Sequence, residues 1–145
     1  MLARRQMRQI VTVVVMAWLV PGSGLAAQKS KAPTDPARVP RIQPAEVRKL
    51  VAKNQAVLVD VRSAQAYAAG HLDGAISMPA WEIESRAAEL RRRAGSRTVV
   101  LYCSCAFEHS AAEAAVTLGR HGLTRVAVLA GGYHPMTGDD IHDHV

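Results

Sequence analysis

The stretch VVLYCSCAFEHSAAEAA, residues 99–115, changes character twice. It opens on apolar, strand-forming residues and stops at two cysteines one residue apart, Cys103 and Cys105. Beyond them the chain turns alanine-rich. Ser110-Ala111-Ala112-Glu113 matches a capping box, which predicts a helix to about His121 with Gly122 as its stop. A buried strand, a thiol-bearing loop and a helix, in that order, are half of a βαβ unit.

The same alternation extends to both sides. QPAEVRKLVAK (residues 43–53) places Pro44 at a first helical position, with Val47, Leu50 and Val51 on one face. AVLVDV (56–61) is a short apolar run of the kind buried on both sides of a parallel sheet. SAQAYAA (63–69) reads as a short helix ended by Gly70, and AISM (75–78) as a brief strand. WEIESRAAELRRR (81–93) is amphipathic, with Ile83, Ala87 and Leu90 in register and Gly95 beyond. RVAVLAGG (125–132) supplies a last strand and a turn. Strands and helices in this rhythm predict an α/β domain with a mostly parallel sheet covered on both faces.

The N-terminus has a different composition. A basic lead (MLARRQMRQ), an apolar run of eleven residues (IVTVVVMAWLV) and small residues after Pro21 make the layout of a secretory signal peptide, residues 1–27. The run is well short of the roughly 20 residues that span a bilayer. Cleavage near Ala26 or Ala27 would place the mature chain in the bacterial periplasm or outside the cell, with no stable membrane association. Residues 28–41 carry three prolines and alternating charges without apolar period, and read as a linker to a domain over 42–145. Arg4, Arg5 and Arg8 leave with the signal segment, so the formal net charge falls from +6 to +3. The remaining basic residues are dispersed except for Arg91-Arg92-Arg93, which suits a solvated helix end. With one Phe and no aromatic–basic interleaving, a nucleic-acid partner is not expected. In the tail, His142 and His144 flank Asp143, a pattern zinc or copper can use. The segment reads as a solvated terminus instead, and no metal or cofactor is expected.

In the oxidising compartment that export implies, two cysteines usually form a structural disulfide, but a bridge between Cys103 and Cys105 would close a tiny, strained ring. Chemistry is the better reading. Cys103 sits beyond the carboxyl end of a strand, where open parallel sheets bind ligands. A loop's N–H groups and a helix N-terminus there would lower a thiol's pKa and cradle an anion.

VLVDVRSAQAYAAGHLDGAISMP (57–79), with an aspartate-x-arginine strand end followed by GH-x-x-GA, resembles the signature of the rhodanese-like domain. VVLYC (99–103) resembles that family's strand into its catalytic cysteine, and LAGGYHPM (129–136) its closing GG-aromatic segment. The resemblance runs from about Ile42 to Met136. It implies an α/β fold with a central, mostly parallel five-stranded sheet and helices on both faces. It also implies transfer of sulfane sulfur through a cysteine persulfide, from a small sulfur donor to a thiol acceptor or cyanide. On this resemblance Cys103 is the catalytic residue, and the substrate-binding loop is Ser104, Cys105, Ala106, Phe107, Glu108, His109 and Ser110. Asp60, Arg62 and His71, with Gly70, match the family's supporting residues. By their own chemistry, charges at a strand end more often organise loops than react.

The loop also departs from the family. An arginine usually stands five residues after the cysteine, with a glycine between; here Glu108 holds that place and the loop has neither. Without a guanidinium to clamp a tetrahedral oxyanion, anion hydrolysis is disfavoured. Thiosulfate should be a poor donor, and a less charged persulfide or polysulfide a better one. Two other readings stay open: a non-catalytic sulfur- or partner-binding module, and a C-x-C thiol–disulfide protein in which one thiol attacks sulfur carried by the other. Physiological donor, acceptor and oligomeric state are not written in these residues.

Overall fold

Five consecutive residues, Ala56–Asp60, are all buried, and this strand (β2) decides the architecture. The computed structural model describes residues 31–134, apart from the side chain of Ala106. In chain order the elements are β1 (Arg41–Ile42), α1 (Pro44–Ala52), β2 (Ala56–Asp60), α2 (Ala64–Ala69) and β3 (Ile76–Ser77). There follow α3 (Ile83–Ala94), β4 (Thr98–Tyr102), α4 (His109–Arg120) and β5 (Val126–Leu129). Short 3-10 turns occupy Pro36–Arg38, Ala80–Glu82 and Ala106–Glu108.

The strands form one sheet in the order β1-β5-β4-β2-β3, and every pairing is parallel. Side chains alternate across it. Val57, Val59, Val99, Leu101, Val126 and Val128 meet Ile83, Ala87 and Leu90 of α3 and the alanine face of α4. Ala56, Leu58, Val100, Tyr102 and Leu129 meet Val47 and Leu50 of α1 and Tyr67 of α2. The three inner strands β2, β4 and β5 are thus covered on both faces, which is why they read as apolar runs. Val51 does not share the inward face of α1 and is exposed.

The helix after β2 packs on one face and the helix after β4 on the other, although the two strands are neighbours. The chain thus leaves the carboxyl ends of these two strands in opposite directions, and such a divergence is where open parallel sheets bind ligands. Asp60 and Tyr102, paired in register, end the two strands there.

Two expectations need correction. Residues 28–41 are not a free linker up to Arg41. Arg41 and Ile42 pair with Val128 and Leu129, Val39 is buried, and Ala32 and Pro33 lie against Gly119 of α4. The segment docks as irregular chain broken by the 3-10 turn at Pro36–Arg38, so it shows no period. Nor does Ser110 cap α4. The helix starts at His109, its N-cap position is Glu108 in the left-handed region, and Glu113 pairs with His109 at 3.1 Å. The signal segment 1–27 and the tail beyond His134 lie outside the described residues.

Candidate active site

Cys103 follows β4 directly and is buried, 3% exposed, whereas Cys105 is exposed. The Cys103 sulfur receives the backbone N–H groups of Cys105 and of Ala111, the latter in the first turn of α4. This is the anion-favouring arrangement of a helix N-terminus. It does not prevail in the resting thiol. Burial pushes Cys103 up to about 11, reinforced by its hydrogen bond to the Cys105 sulfur. Partial burial also opposes ionisation of Cys105. The Cys103 thiol, the N–H and hydroxyl of Ser110 and its own N–H outweigh that and lower its pKa. The expectation that the loop N–H groups and the helix N-terminus lower the pKa of the Cys103 thiol is thus corrected: burial outweighs them.

The rest of the loop divides by direction. Ser110 Oγ lies 3.6 Å from Cys105 Sγ. Ser104 and Phe107 are exposed, Phe107 at 89%. His109 turns to Glu113 rather than to the thiols. Phe107 and Glu108 both have positive φ, 58° and 51°, which turns the chain sharply into α4. Glu108 reaches away from the loop. Its Oε1 accepts the N–H of Gly131 at 2.7 Å, and its Oε2 lies 3.8 Å from Nε of Arg41. The Glu108 N–H donates to the Cys105 carbonyl at 3.3 Å, closing a tight turn beneath the exposed thiol.

Asp60, Arg62 and His71 form a second layer. Both carboxylate oxygens of fully buried Asp60 accept from Arg62, at 2.6–3.1 Å, and Oδ1 also accepts the Arg62 N–H. Arg62 donates to the Gly70 carbonyl at 2.6 Å and lies 3.8 Å above the ring of Tyr133. The hydrogen bond to Asp60 raises its pKa further, so the pair is a fixed ion pair. His71 stacks on Tyr67 and its Nδ1 meets the Tyr67 carbonyl at 2.9 Å, ordering the end of α2. The hydroxyl of buried Tyr102 accepts the Leu72 N–H at 3.1 Å. These groups brace the ends of β2 and β4.

A family model described as the rhodanese-like domain matches residues 43–138. The chain belongs to the rhodanese-like family. It is 32% identical over 84 residues to the uncharacterized protein YqhL of Bacillus subtilis, covering 58% of this chain and 63% of that one. It is 45% identical over 53 residues to an HTH-type transcriptional regulator of Mycobacterium tuberculosis, covering 37% of this chain and 22% of the regulator. It therefore spans less than two thirds of either curated relative. Among solved structures, the human single-domain sulfurtransferase TSTD1 superposes with a TM-score of 0.56 at 28% identity, covering 65% of this chain and 91% of that one.

For a rhodanese-like loop this one is unusual in charge. The position that usually carries arginine is filled by Glu108, whose carboxylate is drawn out to Gly131 and Arg41. Sequence reasoning missed Arg41, placed in the linker, and the bracing tyrosines Tyr102 and Tyr133. It also missed what Gly132 is for: a Cβ there would overlap the Cys103 carbonyl, which accepts the Tyr133 N–H at 2.9 Å. The doubled glycine at 131–132 was the available signal, because two successive left-handed residues mark a turn that only glycine builds freely.

Proposed function

We propose that this chain is an exported single-domain sulfurtransferase that carries sulfane sulfur as a persulfide on Cys103. The observation that carries the reading is the Cys103 sulfur itself, held at the end of a central strand under the N–H groups of Cys105 and Ala111. Cys105, the more acidic thiol, first gives its own proton to solvent and then takes that of Cys103, which attacks the sulfane sulfur of the donor as a thiolate. The donor's remaining thiol or anion departs. The new outer sulfur carries negative charge, which the loop and helix N–H groups stabilise. A thiol or cyanide then removes it.

A loop without a guanidinium to hold a doubly charged donor favours a persulfide or polysulfide over thiosulfate. Intact mass before and after incubation with each donor tests this. Cys103 should gain one sulfur from polysulfide far more readily than from thiosulfate. Cys103→Ser should gain none, and sulfur uptake by that variant would sink the assignment. Export is tested separately, by N-terminal sequencing of the protein from its native host. A start near Ala27 or Gln28 supports it, and an intact Met1 in the membrane fraction would replace export with anchoring.

A further inference from the structure

We propose that Cys105 resolves the Cys103 persulfide within the same chain, releasing sulfide and leaving a Cys103–Cys105 disulfide. The inference rests on the sulfurtransferase reading and adds to it an activity: two-electron reduction of sulfane sulfur to hydrogen sulfide. Three observations carry it.

The first is access. Cys103 is only 3% exposed, so an external thiol must reach a buried sulfur, while the exposed Cys105 stands two residues on in the same tight loop and its thiol acts on that of Cys103. The second is how Cys105 is held. Its sulfur has Ser110 Oγ at 3.6 Å on one side and the Cys103 thiol on the other. Its carbonyl is fixed by the Glu108 N–H, and Glu108 is anchored to Gly131. The third is acidity. These contacts lower the Cys105 pKa, so its thiol yields its proton to the departing sulfur more readily as it attacks.

The step balances without outside help. After donor attack Cys103 bears an outer S⁻, and Cys105 holds the proton taken from Cys103. The Cys105 sulfur attacks the inner sulfur, the Cys103–sulfur bond to the outer atom breaks, and the proton leaves with that atom as HS⁻. The outer sulfur gains two electrons and the two cysteines are oxidised to a disulfide. A bridge across a single intervening residue is strained, and strained disulfides are readily reduced. A dithiol reductant resets the pair, becoming a disulfide itself and returning both protons.

The test uses the full chain, reduced, freed of reductant and treated with inorganic polysulfide, followed by intact mass and free sulfide. Wild type should lose two hydrogens and release stoichiometric sulfide. Cys105→Ser and Cys105→Ala should take up sulfur more slowly, lacking the acceptor for the Cys103 proton, but should retain it and release sulfide only at the background of protein-free polysulfide. Ser110→Ala should slow sulfide release severalfold more than it slows sulfur uptake. A wild type that keeps a stable persulfide, with Cys105 still alkylatable and no sulfide above background, overturns the resolving role and leaves the sulfurtransferase reading intact. If neither wild type nor the Cys105 variants take up sulfur, both readings fall together.

Discussion

The backbone N–H of Gly131 donates to Oε1 of Glu108 at 2.7 Å, tying the thiol loop to the turn that follows β5. A single residue of the loop thereby sets its distance from the far side of the site. A hydrogen bond to a carboxylate in a partly exposed position contributes about 1 kcal/mol. Glu108→Ala should lower stability by about that amount, and should speed alkylation of Cys103 as the loop loosens. Glu108→Gln keeps an acceptor oxygen and should behave nearly as wild type. Equal alkylation rates in all three proteins would show the tie to be idle.

Gly132 and Gly74 have nearly the same backbone angle, φ 71° and 74°, but different surroundings. A methyl group at Gly74 meets open space, whereas at Gly132 it runs into the Cys103 carbonyl. Gly74→Ala should cost only the left-handed penalty, roughly 1–2 kcal/mol. Gly132→Ala should cost clearly more and abolish sulfur uptake, because the strand end carrying the thiol must move. Urea denaturation of both variants checks the difference, and equal losses would contradict it.

Asp60 is fully buried and spends both oxygens on Arg62. Removing one partner strands the other charge, so Asp60→Ala should destabilise by roughly 3–5 kcal/mol. What remains folded at low temperature should still gain sulfur on Cys103. That split between stability and chemistry marks a bracing role; a well-folded variant unable to take up sulfur would make Asp60 part of the chemistry.

The thiol pair makes stability depend on pH in a defined window. The Cys103 thiol, ordinarily at 9.0, is pushed up to about 11 by burial. Between those values the folded chain holds a proton that the unfolded chain has released, so stability falls as pH rises. Cys105, lowered instead, adds stability as pH climbs toward its ordinary value. The urea midpoint of wild type should thus drop more steeply from pH 9 to 11 than that of Cys103→Ser. Parallel slopes would mean the buried thiol does not titrate as described. At neutral pH, iodoacetamide should label Cys105 before Cys103.

The sequence made the interior of this fold legible because doubly buried strands and the Ile83–Ala87–Leu90 face leave periodic apolar marks. It made Cys103 legible through its place after β4. What it hid has a common physical cause. Arg41–Ile42 needs only two residues to add an edge strand, too few to show a period. The false cap at Ser110 arose because Phe107 and Glu108 turn the chain two residues earlier, through positive φ at two ordinary residues. The Cys103–Cys105 hydrogen bond and the outward turn of Glu108 depend on side-chain direction, which spacing does not encode.

The pairing of β1 with β5 has a consequence for the order of assembly. Arg41 and Ile42 find their partners, Val128 and Leu129, near the opposite end of the described chain. Contacts so distant in sequence form late, since the intervening loop must close before they stabilise anything. A growing chain can collapse around β2 and β4, yet its N-terminal strand stays unpaired until residues 126–129 have been made. Glu108 meets Gly131 and Arg41 only at that same moment, so the thiol loop takes its working shape last. A nascent chain therefore holds its two cysteines in an unshaped loop, and becomes competent to carry sulfur only when its two ends are sewn together.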